Sequence, residues 1–264
     1  MSPLNRPGTG CLLTRMMNLH ASVDPEEVAF YEKLADLWWN LEGPFWPLHR
    51  MNATRVGYIL DHTCRHFGLD STAPLPLQGL RVLDIGCGGG ILSEAMARLG
   101  ASVHGVDVVG KNIRVASLHA AQSGLAIHYE VASAEMLAGR GEQYEVVLNM
   151  EVVEHVAELS LFLDACCRVV RPGGLMFVAT INRTLASWLG AIVMGEYVLS
   201  WLPRGTHRWQ RFPTPLEVEN LMATQDMDVA DRCGVAVNPL TRQFHLARYM
   251  GINYLLTARK RPIS

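Results

Sequence analysis

Two groups of residues in this 264-residue chain have types and spacings that could do chemistry. The first is Asp84-Ile-Gly86-Cys-Gly88-Gly-Gly90, with Asp107 further on. A carboxylate two positions ahead of a glycine turn repels a pyrophosphate and suits a ligand carrying positive charge, such as an amino group or a sulfonium. Asp107 stands twenty-one residues after Gly86 and ends a second apolar run, where an acid can accept hydrogen bonds from ribose hydroxyls. The dinucleotide fingerprint G-x-G-x-x-G fits badly, because Ile91 occupies the place of its third glycine. A ribose acceptor without a pyrophosphate cradle points to S-adenosylmethionine, held around Asp84, Gly86, Gly88 and Asp107. The bland alternative is a glycine turn that serves only tight strand–helix packing.

The second group is Glu151, Glu154 and His155. If this segment is helical, spacings of three and four put all three side chains on one side. Two carboxylates and an imidazole could then bind a divalent cation, and oxygen-rich ligation favours Mg²⁺. His155 alone could instead act as a general base, and an acid at a helix N-terminus is favourable without any catalytic role. Such chemistry suits a phenol: with a pKa of about 10, its ionisation at pH 7 costs about 4 kcal/mol. A cation beside two adjacent oxygens, or a positioned base, lowers that cost.

The elements that must position these groups follow from hydrophobic periodicity. Val82, Leu83 and Ile85 form the short apolar run of a buried parallel strand, and Ile91–Leu99 continues as a helix closed by Gly100. Further strands are expected at 103–107, 126–131, 144–150 and 175–180, with helices at 112–123 and 159–170 between them. Ser133-Ala134-Glu135 falls at the carboxyl edge, where an adenine would lie, and Met150 ends the fourth strand. Strand–helix alternation predicts an α/β, doubly wound, mostly parallel sheet. Two last strands, 227–232 and 253–258, read as an edge hairpin and bring the expected count to seven. Before the sheet, Asp24 caps a helix to about Trp39, an aromatic loop follows, and a second helix spans 52–67 and bears Arg55.

Composition bounds the rest. With 18% charged and 49% hydrophobic residues, 23–264 can form one large core as a single domain, with a helical extension at 24–72 and an insertion at about 183–212. Residues 1–22 are expected to be a disordered tail. A net charge of −2 gives nucleic acid no electrostatic footing, and the Asn/Asp-Pro-Pro-Tyr motif of base-methylating enzymes is missing. Six cysteines without C-x-x-C spacing read as reduced thiols. The insertion holds an apolar, Trp-containing stretch, Leu185–Leu202, followed by Arg204, His207, Arg208 and Arg211. Contact with an anionic membrane surface through Leu185–Arg211 fits this pattern, as does a substrate lid packed on the sheet. Glu196 and two glycines argue against a span.

The glycine turn with Asp84 and Asp107 resembles the first motifs of the Rossmann-like class I methyltransferases. Trp38-Trp-Asn-Leu-Glu-Gly43, Pro47-Leu-His-Arg-Met-Asn52, Met150-Glu-Val-Val-Glu-His-Val156, Gly205-Thr-His207 and Asn238-Pro239 narrow the likeness. Over residues 23–260 the chain resembles the bifunctional ubiquinone-biosynthesis O-methyltransferases. That resemblance implies methylation of a 2-polyprenyl-6-hydroxyphenol and of a 3-demethylubiquinol. It assigns methyl-donor contacts to Arg55, Gly86, Asp107 and Met150, and an Mg²⁺ motif to Glu151, Glu154 and His155. It further implies a cytoplasmic enzyme held peripherally at the inner membrane, with other ubiquinone-biosynthesis proteins as partners. The alternatives are a methyltransferase of a soluble phenol and a non-catalytic S-adenosylmethionine-binding protein.

Overall fold

The computed structural model describes residues 22–184, 187, 211–238 and 240–262. Helix α1 is Pro25–Leu34, opened by the Asp24 side chain accepting from the Glu26 amide and followed by a 3₁₀ turn at Ala35–Leu37. Helix α2 is Trp46–Phe67. It begins six residues earlier than the sequence suggested, because Pro47 occupies a first-turn position where its missing N–H costs nothing. Met51, Arg55, Tyr58, Ile59 and Thr63 are buried along one stripe, and Gly68 ends the helix in the left-handed region at φ 66°.

The sheet then alternates with helices: β1 Arg81–Ile85, α3 Ile91–Arg98, β2 Ser102–Asp107, α4 Gly110–Gln122, β3 His128–Val131, α5 Ala134–Arg140, β4 Tyr144–Met150, α6 Leu159–Val169 and β5 Val170–Ile181. Helix α7, Pro215–Ala223, precedes β6 Met227–Asn238, β7 Gln243–Ala247 and β8 Asn253–Lys260. The five N-terminal strands are parallel, as expected. The sheet differs in having eight strands, in the order β3-β2-β1-β4-β5-β8-β6-β7. The two expected last strands do not form an edge hairpin. β8 inserts antiparallel between β5 and β6, and the hairpin is β6 with β7. Two apolar layers cover the two faces of the sheet. Leu83, Val147, Leu163 and Met176 belong to one, and Ile59, Met96, Leu148 and Phe177 to the other.

Among the described residues no helix is long and apolar enough to cross a membrane. The expected membrane segment Leu185–Arg211 lies outside the described residues apart from Ser187 and Arg211, as do residues 1–21 of the expected tail. The five described cysteines are free.

Candidate functional site

The glycine turn between β1 and α3 rests on backbone that glycine alone adopts at ease. Gly86 and Gly88 have φ of 67° and 53°. A Cβ on Gly86 would fall 2.6 Å from Val152 Cγ2, and one on Gly88 2.4 Å from the Trp38 ring. The turn is therefore enclosed from both sides, by the chain after β4 and by the extension after α1. Trp38 is fixed in turn: its Nε1 donates to Asn112 Oδ1 at 2.9 Å, and its ring stacks on Phe45 at 3.8 Å.

Asp107 closes the turn. Its Oδ2 accepts from the Gly88 amide at 2.9 Å and from Asn112 Nδ2 at 3.3 Å, and its Oδ1 accepts from the Val109 amide at 2.8 Å. Burial raises its pKa against the pull of those donors. Asp84 at the tip of β1 is 3% exposed and accepts from Ser93 Oγ at 2.6 Å. Burial pushes its carboxyl up to about 6, while the Ser93 bond and the Arg55 charge pull it back.

This has a measurable consequence for stability. A carboxyl whose pKa is raised on folding binds protons more readily in the native state, so its ionisation opposes folding as pH rises from about 4 to about 6. Two pH units correspond to about 3 kcal/mol. Asp84→Asn keeps an acceptor for Ser93 and is expected to raise the thermal midpoint at pH 7.5, with the gain shrinking toward zero near pH 4. Thermal melts at the two pH values check this.

The second group takes a form the sequence did not suggest. After Met150 the chain turns instead of starting a helix. Glu151 sits at φ 58°, its amide donates to the Ala179 carbonyl at 2.8 Å, and the His155 amide closes a turn onto the Val152 carbonyl at 2.9 Å. The three side chains consequently do not share one helical side. Glu151 Oε1 accepts from Arg55 Nη2 of α2 at 2.5 Å. Glu154 is 3% exposed, and neither of its oxygens makes a hydrogen bond among the described residues. Burial and the Glu151 charge push its pKa well above the ordinary carboxylate range. His155 Nδ1 meets Glu27 Oε2 at 3.1 Å, and its Nε2 meets the Tyr31 hydroxyl at 3.2 Å. The ligand atoms of Glu151, Glu154 and His155 do not all lie within 4.8 Å of one another. The expectation of one shared helical side is thus corrected.

Arg55, Asp84, Gly86, Gly88, Asp107, Ala134, Met150, Glu151, Glu154 and His155 nevertheless line one cavity of about 540 Å³. Ala134 begins α5 after the Ser133 cap, and Met150 ends β4. Sequence reasoning missed other lining residues: Glu27, Tyr31, Trp38 and Phe45 from the extension, Phe244 of β7, and Ile252 just before β8. The acids of α1 read as ordinary first-turn acids, and nothing local ties Glu27 to a histidine 128 residues away. Arg211, expected in the membrane-facing basic cluster, turns inward and pairs with Asp24 at the start of α1.

A Glu27 carboxylate on Nδ1 requires the proton there, so the neutral His155 ring presents a lone pair on Nε2. The Tyr31 hydroxyl occupies the hydrogen-bonding position at Nε2. The cavity is lined by the enclosed glycine turn and by an oriented imidazole.

Comparisons with known proteins bear on the family and the fold. A family model described as a methyltransferase domain matches residues 83–178. The ubiquinone biosynthesis O-methyltransferase of Chelativorans sp. (strain BNC1) is 51% identical over 239 residues, covering 90% of this chain and 94% of that protein. Its counterpart from Rhizobium etli (strain ATCC 51251 / DSM 11541 / JCM 21823 / NBRC 15573 / CFN 42) is 51% identical over 242 residues, 92% of this chain and 97% of that one. Among solved structures, magnesium protoporphyrin IX methyltransferase from Synechocystis PCC 6803 with bound SAH shares the fold, with a TM-score of 0.57. That likeness covers 84% of this chain and 87% of that one at 16% identity.

Proposed function

The chain belongs to the ubiquinone biosynthesis O-methyltransferase family, and from that premise we propose that it transfers the methyl group of S-adenosylmethionine to phenolic oxygens of polyprenylated ubiquinone precursors, at both O-methylation steps. The observation that carries the residue assignment is the Glu27–His155 pair lining one cavity with the glycine turn. Asp107 accepts from the ribose, Asp84 faces the positively charged end of the donor, and Ala134 and Met150 flank the adenosine. Arg55 fixes Glu151 beside them.

Once the acceptor hydroxyl replaces that of Tyr31 at Nε2, His155 takes the phenolic proton, and Glu27 holds the ring and stabilises the imidazolium. The phenolate oxygen then attacks the sulfonium methyl in line, the carbon–sulfur bond breaks with its electrons going to sulfur, and a methyl ether and S-adenosylhomocysteine leave. Holding oxygen and methyl within reach supplies further rate. A divalent cation fits the same region, because Glu154 offers two buried oxygens with no other hydrogen bond and Glu151 lies next to it. Glu151 and Glu154 would hold Mg²⁺, which when bound supplies positive charge that favours the phenolate, while His155 stays with Glu27 outside that ligand pair.

A polyprenylated acceptor resides in a bilayer, which supports peripheral membrane contact for a cytoplasmic enzyme and proximity to the other proteins of the same biosynthesis. The assigned segment is Leu185–Arg211. Further support comes from the cavity mouth, where Phe244 and Ile252 line the cavity and Leu240, Leu246 and Tyr249 are exposed nearby. The same stretch, 240–252, carries Arg242 and Arg248 and no acidic residue. This balance suits an anionic lipid surface.

The test is selectivity for the tail. Burying one isoprene unit, roughly 120 Å² at about 25 cal/mol per Å², contributes about 3 kcal/mol, or ~100-fold. A demethylubiquinol analogue with one prenyl unit is expected to exceed its tail-less counterpart in kcat/KM by about that factor. Equal values would favour a soluble phenol as the substrate.

A further inference from the structure

A second cluster of chemistry-bearing side chains lies on the β2–β3 edge of the sheet, outside the cavity. His104 of β2 and His128 of β3 are register partners in parallel strands, so their side chains leave the same face, and their rings stack with centroids 4.3 Å apart. Glu130 is two residues further along β3 and shares that face. Among the described residues, His104, His128 and Glu130 are the one set of three such side chains whose ligand atoms all lie within 4.8 Å of one another.

Hydrogen bonding fixes the tautomer of His104. The Tyr144 hydroxyl has one proton and donates it to Glu142 Oε2 at 2.6 Å. Its 2.6 Å contact with His104 Nδ1 therefore needs the proton on Nδ1. The neutral ring then points the lone pair of Nε2 toward Glu130 Oε2, 3.5 Å away. Two lone pairs so opposed repel unless a cation is shared between them. His104 is 7% exposed, and its Nε2 has no hydrogen-bond partner.

We propose that His104, His128 and Glu130 form a binding site for a transition-metal ion of the Zn²⁺ type, separate from the methyl-transfer cavity. Two imidazoles and one carboxylate are a donor set suited to Zn²⁺, Ni²⁺ or Co²⁺, with water completing the coordination. The Tyr144–Glu142 relay is the outer support that such a histidine ligand needs, as it orients the ring and raises its basicity. Arg140 donates to both Glu130 oxygens, at 3.0 and 2.7 Å, so the ion shares that carboxylate with a guanidinium. Metal binding here clips the edge strand β3 to β2 and acts on stability, not on turnover.

The experiment is calorimetric titration of the untagged, chelator-treated full chain with Zn²⁺ alone, alongside visible absorption with Co²⁺. The wild type is expected to take up one saturable equivalent beyond any held at Glu151 and Glu154, to show cobalt d–d bands, and to melt at a higher temperature with Zn²⁺ present. His128→Ala removes an exposed ring and with it the stack on His104. It is expected to weaken uptake of that equivalent at least ~10-fold and to abolish both the bands and the thermal shift. His104→Gln should do the same, and Glu154→Gln should leave that equivalent unchanged. Its absence from the wild type would overturn the proposal. So would its survival in His128→Ala, or its loss with Glu154→Gln alone.

Discussion

Replacing Asp107 with alanine is expected to weaken S-adenosylmethionine binding at least ~100-fold while leaving the fold in place. Two effects add. The first is loss of the ribose acceptor: hydrogen bonds to a charged group contribute about 1.5–3 kcal/mol each, and two hydroxyls make the total about 3–6 kcal/mol. The second is loss of the anchor for the glycine turn, because Asp107 accepts from the amides of Gly88 and Val109 as well as from Asn112. The strand itself does not depend on this carboxylate: β2 is paired along its length with β1 and β3. Isothermal titration gives the affinity, and circular dichroism reports the fold. An unchanged affinity in a folded variant would mean that the ribose lies elsewhere.

The second large effect is expected at His155. His155→Ala should lower kcat by about 10²–10⁴, the usual worth of a positioned general base, with little change in donor affinity. Its partners in the fold are fixed by α1, so the loss is chemical in origin: Glu27 Oε2 at 3.1 Å from Nδ1 sets which nitrogen faces the acceptor. Glu27→Gln retains an acceptor for that N–H but removes the charge that stabilises the imidazolium, and a smaller loss of about 10–100-fold is expected. Added imidazole should restore part of the rate to His155→Ala and none to Asp107→Ala. Single-turnover rates with and without imidazole separate the two. If His155→Ala keeps most of the wild-type rate, proton removal belongs to another group, and a cation held by Glu151 and Glu154 becomes the better account.

What the sequence reveals follows the range of the interactions involved. The β1–turn–α3 unit is local: its apolar run, its glycines and its helix pattern sit within nineteen positions, Arg81–Leu99. Asp107 is legible because it closes the next strand at a spacing that the βαβ unit dictates. The Thr214–Glu217 capping box was equally local and opens α7, yet it went unread beside the insertion that precedes it.

Three other features depend on distant residues. Glu151 leaves the strand at φ 58° because its amide extends the pairing of β4 with β5, so the three-and-four spacing that would align it with Glu154 and His155 never arises. The place of β8 between β5 and β6 is a choice among pairing partners, and nothing in the alternation of Asn253–Lys260 specifies a neighbour. β7, Gln243–Ala247, is short and mostly exposed, so its pattern was too weak to be counted as a strand. The same limit applies to the rest of the cavity lining. Tyr31 and Trp38 reach the site through the packing of an extension whose helix α1 buries none of its own residues, and only the folded arrangement brings them over the glycine turn.

The proposed reaction brings a methyl donor and a phenolic oxygen together in one cavity. The most direct measurement is incubation of the full chain with methyl-labelled S-adenosylmethionine and a short-chain demethylubiquinol analogue, followed by mass spectrometry of the quinol. The expected result is one labelled methyl on the free phenolic oxygen and one equivalent of S-adenosylhomocysteine, with neither formed by His155→Ala at a comparable rate. Donor consumption without a methyl ether, or a methyl group found on ring carbon, would contradict it.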